Sequence, residues 1–200
     1  MKSIRVAVAA AAVGVALTAC SSPMHAGAAA VVGNERISTS RLDADTRAYL
    51  AALKQNKLDE TQLGVPVTQV VLQRLVNVSA SEQLIARYKV PVSETEIDTA
   101  LKDPGQFESP AINLLANGVS PNDARAYGRV IVGLSKLQQQ FGGQAAQQKL
   151  TQEFASIKTV FSPRYGALNP QRSQENPALF VDTGRFGKLA TQPAQQPAQG

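Results

Sequence analysis

Residues 30–38 have the sequence Ala-Val-Val-Gly-Asn-Glu-Arg-Ile-Ser, which indicates how the folded domain begins. Its β-branched pair, Gly-Asn turn and return predict a short strand, a turn and a second short strand. The hydroxyl groups of residues 38–40 can cap a helix that begins near Arg41, because a side-chain oxygen at that position accepts from a free helical amide. The hairpin is therefore expected to lead directly into a helix.

Two amphipathic helices are predicted after the hairpin. The first spans about residues 41–55, since its apolar side chains recur every three or four residues on one face. That face consists of Leu42, Thr46, Tyr49, Leu50 and Leu53. The second starts near Pro66, which suits a first helical turn, and it ends before Pro91, because proline disfavours a helical residue ahead of it. Its wide apolar stripe over residues 67–88 predicts a position at the centre of the core.

Further helices follow in the second half of the chain. Ser93-Glu94-Thr95-Glu96 has the pattern of a capping box and predicts a short helix from Glu94 to about Lys102. Pro110 suggests a break before another short helical piece. Ser120, with proline next to it, predicts a helix that runs to Phe141. Its predicted buried face is Ala124, Tyr127, Val130, Ile131, Leu134, Leu137 and Phe141. The fold class is therefore mainly α.

Beyond Phe141, the sequence pattern changes from helical to strand-like and then to a polar tail. The helical pattern resumes over residues 145–157 after two glycines, and residues 158–161 are β-branched and strand-like. Residues 162–166 (Ser-Pro-Arg-Tyr-Gly) predict a turn, with contact to a client polypeptide as the functional alternative. Residues 169–200 are rich in Pro, Gln, Asn and Ser and predict a polar, largely disordered tail, to which residues 179–181 could add one strand.

Composition excludes several classes of function. The 200-residue chain has a formal charge of +5, and removal of Lys2 and Arg5 with a signal peptide leaves +3, too weak a field to predict nucleic-acid binding. Cys20 is the single cysteine and His25 the single histidine, so no intrachain disulfide and no Cys/His zinc site can form. We expect no cofactor, no metal and no enzymatic activity, since no histidine remains in the predicted domain for a catalytic triad.

The first residues predict export and lipid anchoring. A short cationic stretch precedes an apolar run over residues 6–17, which is too short to span a bilayer and is typical of a signal peptide. Leu-Thr-Ala-Cys at residues 17–20 resembles a bacterial lipobox. We therefore predict a lipoprotein signal peptide over residues 1–19, a diacylglyceryl group on Cys20 and a flexible tether over residues 20–28. The alternative is an ordinary secretory signal cleaved near residues 28–30, with Cys20 incidental.

The arrangement of the predicted domain resembles a known family. The stretch at residues 30–38, the run Val-Leu-Gln-Arg-Leu-Val at 71–76, the run at 88–98 and the helix over 120–140 are similar to the N-terminal chaperone domain of SurA-like and PrsA-like foldases. The resemblance covers about residues 29–168. It implies a small sheet in which the first strand pairs with a C-terminal segment, here residues 159–166.

The resemblance also implies a function, with one departure. Foldases of this family carry a parvulin isomerase domain before the closing segment, and this chain leaves no room for one. The expected role is therefore a membrane-anchored, extracytoplasmic, ATP-independent chaperone that binds unfolded or partly folded exported polypeptides through a shallow apolar cleft, without isomerase activity. Candidate binding residues are Tyr49, Tyr127, Phe141 and Tyr165, each of which could instead belong to the core. The alternative is an accessory lipoprotein that docks one specific envelope partner.

Overall fold

The computed structural model describes residues 26–171, 173, 178 and 180–181, and it is mainly helical. The strands are β1 (Ala28–Val32), β2 (Glu35–Ser38), β3 (Thr159–Phe161), β4 (Ala167–Leu168) and β5 (Phe180–Val181). The helices are α1 (Thr39–Gln55), α2 (Val67–Arg87), α3 (Glu94–Lys102), α4 (Pro110–Ala116), α5 (Ala124–Phe141) and α6 (Gly143–Ser156). The predicted fold class is confirmed.

The small sheet joins the two ends of the domain. Its strand order is β2-β1-β3, and both pairings of β1 are antiparallel. Val31 lies opposite Arg36 on one side and opposite Val160 on the other. This pairing of an N-terminal hairpin with a C-terminal strand is the one that the family resemblance implied.

The hairpin turn requires a glycine at position 33. Gly33 has φ +56°, a left-handed conformation that side chains rarely adopt, and a Cβ built there would lie 2.2 Å from Gln83 Oε1. The Gln83 amide donates to the Val32 carbonyl at 2.8 Å. The side chain that excludes a Cβ at position 33 thus also ties the hairpin to α2.

Helix α2 lies at the centre of the core, as its apolar stripe predicted. It contributes Val71, Leu72, Leu75, Val78 and Leu84, each at most 2% exposed. One prediction for α5 is wrong: Ile131, expected on the buried face, is 41% exposed. Neighbouring helical positions are about 100° apart, and Val130 takes the core-facing side at 6% exposure. Ile131 is therefore left outside the core.

The short helix expected after the break at Pro110 is present as α4, which begins at Pro110 itself. Ser109 caps this helix by accepting from the Ile112 amide at 3.2 Å. The strand considered within residues 179–181 is present at Phe180–Val181 and pairs with β4. Phe180 is buried and packs edge-to-face on Phe161 of β3, with ring centroids 5.1 Å apart. This ring contact joins β5 to β3 of the small sheet.

Candidate polypeptide-binding groove

A groove of about 460 Å³ lies between α3 and α5. Its apolar surface comes from Ile131 and Val132 of α5 and from Ala100 of α3. Thr95, Ser135 and Gln139 also line it, and their hydroxyl and amide groups can both donate and accept hydrogen bonds. Thr99 lines it too, but its hydroxyl donates to the Thr95 carbonyl at 2.8 Å and can offer a bound chain only an acceptor. An extended polypeptide could therefore find apolar contact and main-chain hydrogen bonds in the same groove.

The start of α3 is fixed by the capping box that the sequence predicted. The Ser93 hydroxyl accepts from the Glu96 amide at 3.3 Å, and the Glu96 carboxylate accepts from the Ser93 amide at 2.9 Å. The same carboxylate pairs with Lys136 of α5 at 2.6 Å. Lys136 also donates to the Pro91 carbonyl at 2.8 Å. The Lys136 ammonium and the capping hydrogen bonds lower the pKa of Glu96 to about 2.

A glycine lets the two helices approach each other. A Cβ built at Gly128 of α5 would lie 3.0 Å from Leu101 Cγ and 3.1 Å from Ile97 Cγ2, both on α3. Ile97 is fully buried at this contact. A side chain at position 128 would therefore meet α3, and glycine allows α3 and α5, the two helices that line the groove, to pack closely at this point.

Charged side chains also pair between α3, α5 and α2. Arg125 pairs with Glu94, and with Asp98 at 2.8 Å. Arg129 lies 3.6 Å from Glu94 and 3.5 Å from Glu82 of α2. Exposed pairs of this kind contribute little to stability, so their main effect is to orient α3 on α5.

Two of the four candidate residues, Tyr49 and Tyr127, both lie near Arg74 of α2. Tyr49 is fully buried, and its hydroxyl donates to the Leu115 carbonyl at 2.6 Å. Burial raises the pKa of Tyr49. Tyr127 is half-buried, with the Arg74 guanidinium 5.1 Å from its ring centroid. Tyr49 offers no surface to a polypeptide in this structure, and we do not include it in the site.

The other two candidates lie apart from the groove. Phe141, at the end of α5, packs edge-to-face on Tyr88 with centroids 4.9 Å apart, and the Lys149 ammonium lies 4.1 Å from its ring centroid. Tyr165 follows β3 and packs against the core in a 3-10 turn, with Arg164 5.6 Å from its ring centroid. The polypeptide-binding role of these side chains stays a prediction.

A buried acidic pair joins α1 to the start of α5. Asp45 and Asp123 are 3% and 7% exposed. Arg41 donates to Asp123 at 3.0 Å and lies 3.7 Å from Asp45. Asp45 accepts a hydrogen bond from the side-chain NH2 group of Asn122 at 2.9 Å. Burial raises the pKa of Asp123, and the nearby Asp45 charge acts in the same direction. No motif in the sequence signals this pair, because its members meet only in the folded domain.

The anchoring residue lies outside the part of the chain that the structure describes. Cys20 and His25 precede residue 26, so the lipidation of Cys20 stays a prediction.

Within the described residues, no three His, Cys, Asp or Glu side chains are grouped so that they could hold a metal ion. None of the described helices has the length and hydropathy needed to cross a membrane.

Comparison with known proteins gives one match. A family model described as a SurA-like N-terminal domain matches residues 1–111, more than half of the chain. The match includes the hairpin, α1, α2 and α3 and ends within α4, so α3 lies inside it and α5 outside. No curated protein matches the chain. No solved structure matches it either.

Proposed function

Because the chain belongs to the family of SurA-like N-terminal domains, we propose that it binds unfolded or partly folded exported polypeptides without ATP and without an isomerase step. The family is extracytoplasmic, and its N-terminal domain is of the chaperone type and not catalytic. The surface that we propose for client binding is the groove between α3 and α5, and the proposed attachment to the membrane is through Cys20.

The single observation that supports this function best is the groove between α3 and α5. Ile131 lines this groove and is 41% exposed, whereas its neighbour Val130 takes the core-facing side of α5 at 6% exposure. Complete burial of such a side chain contributes about 1.5–3 kcal/mol, and Ile131 already has part of that contact. Client binding through this groove is therefore weak and readily reversible, as a holding chaperone requires.

The polar lining supports a lack of sequence specificity. Thr95, Thr99, Ser135 and Gln139 present hydroxyl and amide groups that suit a peptide main chain, which is the same in every client. Among the described residues that line the groove, Glu96 and Lys136 are the charged ones, and they pair with each other at 2.6 Å. The groove therefore does not select clients by a net charge of its own.

The test is suppression of client aggregation by an Ile131→Asp variant. A carboxylate in the groove must be desolvated when an apolar segment binds, so we expect suppression to fall at least severalfold for several unrelated clients. The matched control is Leu168→Asp, which introduces the same carboxylate at another exposed apolar residue, 47% exposed on β4. Far-UV circular dichroism checks that both variants fold.

The outcomes separate the two candidate functions. Loss of suppression with Ile131→Asp but not with Leu168→Asp supports a general chaperone groove. Equal suppression by all three proteins contradicts the proposal. Crosslinking in intact cells that captures one stoichiometric envelope partner, with no suppression of any client, favours the accessory lipoprotein instead. Turnover of proline isomers in a test peptide would contradict the absence of an isomerase step.

We also propose that acylation of Cys20 attaches the domain to the membrane. The support is the lipobox-like Leu-Thr-Ala-Cys sequence directly after an apolar run. Two long acyl chains anchor a protein stably, whereas a single chain binds only marginally. In cells given a labelled fatty acid, the natural chain should incorporate the label and appear in the membrane fraction. The Cys20→Ser variant should neither incorporate the label nor appear in the membrane fraction. A labelled Cys20→Ser protein would contradict acylation at this residue.

A further inference from the structure

Arg74 of α2 is a partly buried cation that has no anionic partner within the part of the chain that the structure describes. Its Nε atom is buried and has no hydrogen-bond partner among the described residues, and no described carboxylate lies within 4.0 Å of the guanidinium. Burial lowers the pKa of Arg74, although the nearby Tyr127 and Tyr49 oppose this shift. By contrast, Arg41 and Arg87 each pair with carboxylates of the domain.

The Arg74 guanidinium is held by an aromatic ring. It lies 5.1 Å from the centroid of Tyr127 on α5, a distance at which a cation is attracted to the ring face. The ring supplies no charge that neutralises the guanidinium. Arg74 is thus positioned by its packing while its capacity to bind an anion remains unused.

A pocket of about 310 Å³ lies next to this cation, between α2 and the end of α4. Leu63, Val65 and Val70 form its apolar wall, and Gln73, Asn77 and Asn117 bring amide groups to it. The Gln73 amide donates to the Asn77 side-chain oxygen at 3.1 Å, which leaves the Asn77 NH2 group to donate elsewhere. The pocket therefore combines a cation, a free amide donor and room for a small apolar side chain.

We propose that this Arg74 pocket binds a carboxylate group of a polypeptide that lies next to a small apolar side chain. A guanidinium can donate two parallel hydrogen bonds to one carboxylate, which matches the unpaired state of Arg74. The carboxylate is either that of the chain terminus or that of an Asp or Glu side chain. The inference rests on the proposed function only in that the ligand is a polypeptide, since the pocket is separate from the groove between α3 and α5.

The test uses three short peptides that differ only in their carboxylate: Ac-Ala-Ala-Val with a free terminus, the same peptide amidated, and amidated Ac-Ala-Asp-Val. Binding is followed by NMR on the labelled full chain, through the backbone amide signals of Asn117 and Gly118, which line the pocket and are present in every variant. In chains that retain Arg74, its Nε–H signal is followed as well. We expect the free acid to bind at least about tenfold more tightly than its amide. Binding of the aspartate peptide shows that any carboxylate suffices, and its absence restricts the site to chain termini.

Variants then separate the pocket from folding and from the groove. Arg74→Gln should abolish the preference for a carboxylate, whereas Arg47→Gln, which changes an exposed arginine of α1, should retain it. Because Arg74→Gln also removes the contact with Tyr127, a second variant is needed. Asn77→Asp leaves Arg74 in place but adds a competing carboxylate at an exposed position, and we expect the same loss.

Two results would overturn the inference. One is equal binding of the free acid and its amide, and the other is unchanged binding of the free acid by Asn77→Asp. Failure of the proposed function is seen separately, because the Ile131→Asp variant should still bind the free acid in the Arg74 pocket. Aggregation suppression that does not depend on Ile131 would therefore count against the groove and leave the Arg74 pocket standing.

Discussion

Replacement of Gly133 by alanine tests how closely α2 and α5 must pack. Gly133 is buried on α5, and an added Cβ would lie 2.4 Å from Ile85 Cδ1 and 2.7 Å from Ile85 Cγ1 on α2. Ile85 is itself only 6% exposed, so its side chain has no open space to enter. Either Ile85 leaves its preferred rotamer or the two helices separate.

The expected loss is a balance of two effects. Overpacking of a well-packed core costs typically about 1–3 kcal/mol, and alanine in place of glycine returns up to about 1 kcal/mol of helix propensity. We expect a net loss of about 1 kcal/mol for Gly133→Ala, which lowers Tm by roughly 2–4 °C in a domain of this size. Gly128→Ala on the same helix is the control, because its closest contacts are 3.0–3.1 Å and its loss should be smaller.

A double-mutant cycle identifies the clash as the cause. Ile85→Ala removes each of the atoms that the new Cβ would meet, at its own cost of about 2–5 kcal/mol. In that background, Gly133→Ala should cost nothing, so the two changes should couple by at least about 0.5 kcal/mol. Urea unfolding followed by circular dichroism gives all four free energies. Additive losses, or a Gly133→Ala variant as stable as Gly128→Ala, would refute the packing argument.

Three further predictions concern the capping box, its ion pair and the hairpin. Ser93→Ala should lower the free energy of unfolding by about 1 kcal/mol and speed amide exchange in the first turn of α3, whereas unchanged exchange would contradict the cap. Lys136→Gln should raise the pKa of Glu96 from about 2 towards its usual value, as an NMR titration would show. Because that pKa is lowered in the folded state, the stabilisation by Glu96 is present at neutral pH and is lost as pH falls from about 4.5 to about 2. Gly33→Ala should destabilise the domain by about 1 kcal/mol or more, given its φ of +56° and the contact with Gln83, and an unchanged urea midpoint would contradict this.

Features set by neighbouring residues could be predicted from the sequence. The capping box at Ser93 places both partners within one helical turn, so its residue types alone indicate the start of α3. The hairpin is likewise local, because a β-branched pair and a Gly-Asn turn lie within nine residues. The pairing of β1 with β3 is not local, and it was predicted only through the resemblance to a family.

Features that depend on tertiary packing could not be predicted. Helical periodicity gives an apolar stripe on α5 but not its edge, so Ile131 was assigned to the core although it lines the groove. The acidic pair of Asp45 and Asp123 and the unpaired Arg74 arise where distant helices meet. Neither feature could be predicted from the sequence, because the presence of a charged residue does not indicate whether the fold will bury it or pair it.

The start of β1 ties the proposed anchor to the folded domain. Arg36 donates to the Ala26 carbonyl at 2.7 Å and the Thr39 amide donates to the Gly27 carbonyl at 2.9 Å, so the chain is tied to the domain from residue 26 onward. An extended chain gains at most about 3.6 Å per residue, so an acylated Cys20 would hold this point within roughly 25 Å of the membrane. A domain of this size has a radius of gyration of about 15 Å, so it would remain at the membrane surface.

If this confinement directs client capture, a long Gly/Ser insertion in the tether should reduce crosslinking to clients at the membrane while aggregation suppression in solution is unchanged. Equal crosslinking with and without the insertion would show that the anchor does not direct client capture.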